Sequence, residues 1–127
     1  LGERDYGEYT GKNKWEMKQI LGEDVFDHMR RDWDYPIPGG ETLKMVYERV
    51  VPFYLSTIVP LLQEGYNVLV ASHGNALRAL MIYMESIPKE DAKNVEMMFG
   101  SVVLYQVDEE GKSVHKEVRT VESEVNA

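Results

Sequence analysis

From Leu43 to Leu61, apolar side chains recur every three or four residues through Val46, Tyr47, Val50, Tyr54 and Ile58, and so mark one face of a helix. The breaker Pro36-Ile37-Pro38-Gly39-Gly40 precedes that helix, Glu41 opens it, and Gly65 ends it. Pro52 lies inside and offers no N–H to the carbonyl of Glu48, which predicts a kink or a break into two helices. After Gly65 the pattern changes. Asn67 to Ser72 is a short apolar run with β-branched Val68 and Val70, the pattern of a buried, parallel strand. His73-Gly74-Asn75 follows at once, and the spacing of Leu77, Leu80, Met81 and Met84 predicts a helix over residues 76–85. Pro88 suits the start of a short helix over residues 89–94. Residues 101–107 read as a strand, 108–112 as a Gly-containing turn, and 113–121 as a weaker strand whose Lys and Glu content suggests an edge. Upstream, residues 1–40 are loop-rich and charged, with helical stretches over 14–21 and 24–33 separated by Gly22.

Strand, helix, strand in the second half points to an α/β sheet, but three strands and one long helix make a thin layer. The expectation is therefore that the strands this sheet packs beside lie outside the chain. The 127 residues match one ordinary domain in length. With 43% hydrophobic and 28% charged residues, the chain is too apolar for a disordered tail. No run of about 20 apolar residues stands out as a bilayer span, so a cytoplasmic protein without a membrane partner is expected. The absence of Cys excludes disulfides, thiol nucleophiles and thiolate zinc sites.

A net charge of -8 disfavours nucleic acid, whose phosphate backbone needs a basic face. Small anions escape that argument, because charges beyond a Debye length of roughly 8 Å are screened and a local basic pocket outweighs the global sign. Two regions qualify. Glu3-Arg4-Asp5-Tyr6 packs a carboxylate, a guanidinium and a phenol together, with Lys12, Lys14, Arg30 and Arg31 following, a mixture that suits a phosphorylated, carboxylated substrate or else a solvated charged face. His73 sits where a strand gives way to a helix, where free amides around Asn75 and Ala76 attract anions; alternatively it bonds a nearby carbonyl. Gly74 allows close backbone approach. The glycine spacing before Lys12 is not that of a P-loop, no Gly-x-Ser-x-Gly elbow occurs, and His28, His73 and His115 are too scattered for a zinc site.

These residues together resemble the cofactor-dependent phosphoglycerate mutases of the histidine phosphatase superfamily. Glu3-Arg4-Asp5-Tyr6-Gly7 and Gly11-Lys12-Asn13-Lys14 look like that family's substrate segment, Arg30-Arg31 like its paired arginines, and residues 72–80 (Ser-His-Gly-Asn-Ala-Leu-Arg-Ala-Leu) like its second histidine motif. Pro38-Gly39-Gly40-Glu41-Thr42-Leu43 and Arg49-Val50-Val51-Pro52-Phe53-Tyr54 are similar to the stretch between them.

The resemblance implies interconversion of 3-phosphoglycerate and 2-phosphoglycerate in glycolysis and gluconeogenesis. The route passes through a phosphohistidine and 2,3-bisphosphoglycerate, the priming phosphate donor, without a metal. It implies Glu3 as general acid and base and His73 as a stabiliser of the transferring phosphoryl group. Arg4, Tyr6, Lys14, Arg30, Arg31, Gly74 and Asn75 would hold phosphate and carboxylate. A bisphosphoglycerate synthase or phosphatase on the same scaffold, and a non-catalytic anion-binding fragment, are the alternatives. The family nucleophile lies in an Arg-His-Gly motif at the end of the first strand, and no Arg-His-Gly occurs in the 127 residues. The resemblance thus implies that residues 1–127 are the C-terminal portion of one domain, and that this chain alone is inactive. The expected fold is a three-layer, mixed, mainly parallel sheet flanked by helices and incomplete on its N-terminal side. The missing segment is an expected partner, and the family implies a homodimer or tetramer.

Overall fold

A computed structural model describes residues 1–96 and 100–120, and of Lys14 the backbone only. The charged front folds as two short helices. Helix α1 (Lys14–Leu21) starts at Asn13, whose side-chain oxygen accepts the N–H of Glu16 at 2.8 Å. Gly22, at φ +81°, ends α1 and leads directly into α2 (Glu23–Arg31). Phe26 and Met29 of α2 join Met17 and Ile37 in a small core of their own, with Tyr6 and Tyr9 against it.

Thr42 caps α3 (Leu43–Phe53), its hydroxyl accepting the N–H of Met45 at 3.1 Å. Pro52 does not break this helix. The chain continues through a π-helical turn over Tyr54–Ile58 into α4 (Val59–Gln63), with the N–H of Val59 bonding the carbonyl of Tyr54. The wide turn lies between Pro52 and Pro60, each of which removes one donor from the ladder. The continuous helix Leu43–Gln63 has 21 residues, and its most apolar 18-residue stretch has a mean hydropathy of 1.2, long and apolar enough to cross a membrane. This corrects the expectation that no such run exists, which the charged and polar residues along its outer face concealed. Its inner face packs as the spine of a core: Val46, Val50, Tyr54, Ile58 and Val59 meet Ala76, Ala79 and Leu80 of α5 (Gly74–Met84). The adjoining side of α5 puts Met81 and Ile82 against Leu43, Ala92 and Val95, beside a 3-10 turn at Lys89–Asn94.

The sheet differs from the expected one. Among the described residues it has two strands, β1 (Ser101–Val107) and β2 (Ser113–Thr120), and they are antiparallel. Ser101 faces Thr120, and an irregularity after Gln106 brings Val107 opposite Ser113. Residue 121, expected in the second strand, falls outside the described residues. The hairpin turn is tied to the long helix, because the buried Tyr54 hydroxyl donates to the carbonyl of Gly111 at 2.9 Å.

The expected parallel strand over residues 67–72 is not in a ladder. Val68 and Val70 lean on the main core, while Leu69 between them is 87% exposed. The alternation is that of a strand with one covered face. A strand assignment also needs neighbours for its N–H and C=O groups, and the described residues bring none alongside.

Candidate active site

Glu3 reaches the start of α5. Its Oε1 accepts the backbone N–H of Asn75 at 3.1 Å and that of Arg4 at 2.8 Å, so two fixed donors orient a half-buried carboxylate at the positive end of the helix. The Asn75 side chain links three elements: its Nδ2 donates to the Tyr6 hydroxyl at 2.8 Å, and its Oδ1 accepts from Nη1 of Arg78 at 2.9 Å.

The strip carrying Glu3 is clamped from both sides. The N–H of Glu41 bonds the carbonyl of Asp5 at 2.6 Å, and that of Glu8 bonds Pro38 at 3.0 Å. At this crossing Gly7 and Gly40 approach so closely that a Cβ on Gly40 would lie 2.6 Å from the carbonyl oxygen of Asp5. Arg49 adds an ion pair to Glu41 and also reaches the carbonyls of Gly2 and Glu3.

Arg4 does not stand in the open cleft. Only 3% exposed, it spends its guanidinium on the carbonyls of Glu41 at 2.5 Å, Met29 at 2.7 Å and Tyr35 at 3.4 Å, and lies over the Tyr6 ring. Burial pushes its pKa down. The resemblance implies a substrate contact for Arg4; in the structure its donors go to backbone carbonyls.

A cleft of about 390 Å³ opens where these elements meet. Glu3, Tyr6, Arg30, Arg31, Gly74 and Asn75 line it together. Arg30 is half-buried against the Phe26 ring, and Arg31 pairs with Glu96 at 2.8 Å on the rim. His73 occupies the N-cap position of α5 without capping it through its side chain; its residue is exposed and lies outside the lining. Lys14 is the first residue of α1, and the expectation for its side chain falls outside what is described. Among the described residues no group of three or more His, Asp or Glu is placed to hold a metal ion.

The cleft is thus a polar, mixed-charge pocket built from a helix N-terminus, an oriented carboxylate, a phenol and paired arginines. That arrangement can hold a small anion and pass a proton to or from it. The family profile described as histidine phosphatase superfamily (branch 1) matches residues 1–120. The chain belongs to this superfamily. Over 118 residues it is 39% identical to the 2,3-bisphosphoglycerate-dependent phosphoglycerate mutase of Parvibaculum lavamentivorans, covering 93% of this chain and 56% of the relative. It is 41% identical to the phosphoglycerate mutase of Schizosaccharomyces pombe over the same shares, and 40% identical to the 2,3-bisphosphoglycerate-dependent enzyme of Brucella anthropi, over 93% and 57%. The chain therefore spans a little over half the length of these curated relatives.

Three residues of this superfamily member escaped the sequence reading of the site. Arg49 and Glu41 act on the Glu3 strip from a helix and its leader, a relation that no local spacing encodes. Arg78 had a visible signal: it is a cation three residues after Asn75, flanked by Leu77 and Ala79 in an otherwise apolar helix.

Proposed function

We propose that the intact protein is a 2,3-bisphosphoglycerate-dependent phosphoglycerate mutase, and that residues 1–127 are the C-terminal part of its catalytic domain. The supporting observation is the Glu3 carboxylate held against the Asn75 N–H inside the cleft that Arg30 and Arg31 line. The superfamily membership and the names of the relatives point the same way. In this reading Glu3 takes the proton of the substrate hydroxyl and returns it. The N-terminal amides of α5, with Gly74 and Asn75, receive a phosphoryl oxygen, and Arg30, Arg31 and Tyr6 hold the phosphate and carboxylate. Lys14 would add a point charge, and His73 would turn inward to the transferring group. Arg4 serves by fixing the strip rather than by touching substrate.

The same groups suit 2,3-bisphosphoglycerate, whose two phosphates and carboxylate match a helix N-terminus and a pair of arginines. When bound it primes the enzyme with a phosphoryl group. The nucleophilic histidine would come from a segment outside these residues. That segment would also supply strands paired beside residues 67–72 and a layer packed over Leu69, completing a three-layer, mainly parallel sheet. A cytoplasmic location and a homodimer or tetramer complete the proposal.

The test is an assay of the full-length protein and of the 127-residue chain with 3-phosphoglycerate and a trace of 2,3-bisphosphoglycerate. The full-length protein should form 2-phosphoglycerate and the isolated chain should not. Replacing Glu3 by Gln should lower kcat by about 10²–10⁴-fold, the usual contribution of a general acid–base. Release of inorganic phosphate in place of isomerisation would favour the bisphosphoglycerate phosphatase, and anion binding without turnover would favour the non-catalytic reading.

A further inference from the structure

Arg78 makes five side-chain hydrogen bonds while only 7% exposed. Nε donates to the carbonyl of Val95 at 2.8 Å. Nη1 donates to Asn75 Oδ1 at 2.9 Å and to the carbonyl of Arg30 at 3.2 Å. Nη2 donates to the carbonyls of Ala92 at 2.9 Å and Arg31 at 3.1 Å. The side chain therefore spans the C-terminal end of α2, the first turn of α5 and the segment around Val95, which are the pieces that bring Arg30, Arg31 and Asn75 to the cleft.

All five acceptors are neutral, so a buried cation sits without a carboxylate partner among the described residues, an arrangement that costs free energy. Burial lowers its pKa, and the guanidiniums of Arg31, Arg4 and Arg30 add to that. The five acceptors need these donors, but a net positive charge held at the cleft without a counter-ion exceeds what satisfying carbonyls requires. A cation gains from this place when an anion enters the cleft that it lines beside Gly74 and Asn75.

We infer that Arg78 is a positioning residue for phosphate: it locks the backbone of Arg30 and Arg31 to the start of α5, so that the paired arginines and the helix amides converge on one anion. The inference rests on the proposed reading of the cleft as a phosphoglycerate site. Arg78 acts through Arg30, Arg31 and Asn75.

The test compares wild-type full-length protein with Arg78→Lys, which keeps the charge and loses the fork. The Kd for inorganic phosphate and the KM for 3-phosphoglycerate should rise at least tenfold, by a larger factor than kcat falls. Adding Arg30→Ala to Arg78→Lys should weaken binding by less than Arg30→Ala does alone, because Arg30 is already misplaced. A merely structural role would lower Tm and leave KM and Kd of the folded protein at wild-type values, which would overturn the inference. If Arg78→Lys does not fold, side-chain 15N NMR of the wild type decides. Phosphate should shift the Nε–H signal of Arg78 together with those of Arg30 and Arg31; shifts in the latter two alone would overturn the inference. A wild type that binds neither phosphate nor 3-phosphoglycerate defeats the proposed function itself, whereas equal binding by wild type and Arg78→Lys defeats only the role of Arg78.

Discussion

Arg49 and Glu41 form a two-pronged ion pair, Nε to Oε2 at 2.7 Å and Nη2 to Oε1 at 3.0 Å, and the same Nη2 reaches the carbonyls of Gly2 and Glu3 at 2.9 and 2.8 Å. A helix residue thereby holds the backbone of the proposed acid–base residue. Arg49→Ala in the full-length protein should release that strip. The partly exposed ion pair contributes only about 0.2–1 kcal/mol, so Tm should fall modestly. Steady-state kinetics should show the larger effect as a loss of roughly tenfold in kcat, since misplacement of a catalytic group is felt mainly in the transition state. An unchanged kcat would show that Glu3 is positioned without Arg49.

The same pair gives stability an acid limb. The hydrogen bond from Arg49 holds the Glu41 carboxyl below its ordinary value of 4.5 against the opposing effect of burial, and the N–H of Asp5 and the charge of Arg49 add to the depression. As pH falls, the unfolded chain therefore takes up this proton before the folded one does. The contribution is complete above 4.5 and is lost as pH drops through the depressed folded value. Urea unfolding of wild type and Glu41→Gln across that range should show a stability difference that shrinks on acidification. A difference independent of pH would contradict the assignment.

Gly40→Ala tests the crossing beneath the site. Its Cβ would meet the Asp5 carbonyl oxygen at 2.6 Å and the Gly7 nitrogen at 2.7 Å, both backbone atoms that cannot turn aside. A loss of about 1–3 kcal/mol is expected, the usual cost of overpacking, read as a lower urea midpoint. Gly39→Ala makes no such contact through its Cβ, but φ +71° strains it by a different route; its penalty should come from backbone conformation alone.

Replacing Arg30 and Arg31 together by Ala should raise KM for 3-phosphoglycerate tenfold or more in the full-length protein. Hydrogen bonds to charged groups contribute about 1.5–3 kcal/mol each, and the rim pairing of Arg31 with Glu96 offsets part of that. Unchanged kinetic constants would reduce the pair to a solvated face.

Tyr54→Phe should cost about 1–3 kcal/mol, because the carbonyl of Gly111 loses its buried donor. Burial pushes the Tyr54 hydroxyl up to about 12 from 10.0, so wild-type stability should decline as pH rises from the lower value through the higher one. Alkaline unfolding of the variant should lack that component.

Much of the fold was readable locally. The three-and-four spacing of Val46, Val50, Tyr54 and Ile58 specifies a helix because those side chains share one face at 3.6 residues per turn, and the β-branched content of residues 101–107 specifies a strand. The motif residues Glu3, Tyr6, Arg30, Arg31 and Asn75 could likewise be named before any of their contacts were known. The sheet could not be read this way. Residues 67–72 carry the pattern of a strand, yet a strand exists only when another segment takes up its N–H and C=O groups, and among the described residues none does.

The roles of individual arginines also depended on tertiary structure. The resemblance groups Arg4 with Arg30 and Arg31 as substrate cations and assigns no role to Arg49 or Arg78. Folding spends Arg4 and Arg78 on buried carbonyls, sets Arg49 as a clamp, and leaves Arg30 and Arg31 at the cleft. A guanidinium offers five donors wherever it lies, and which acceptors surround them is decided by segments that are distant in the chain and meet only in the folded state.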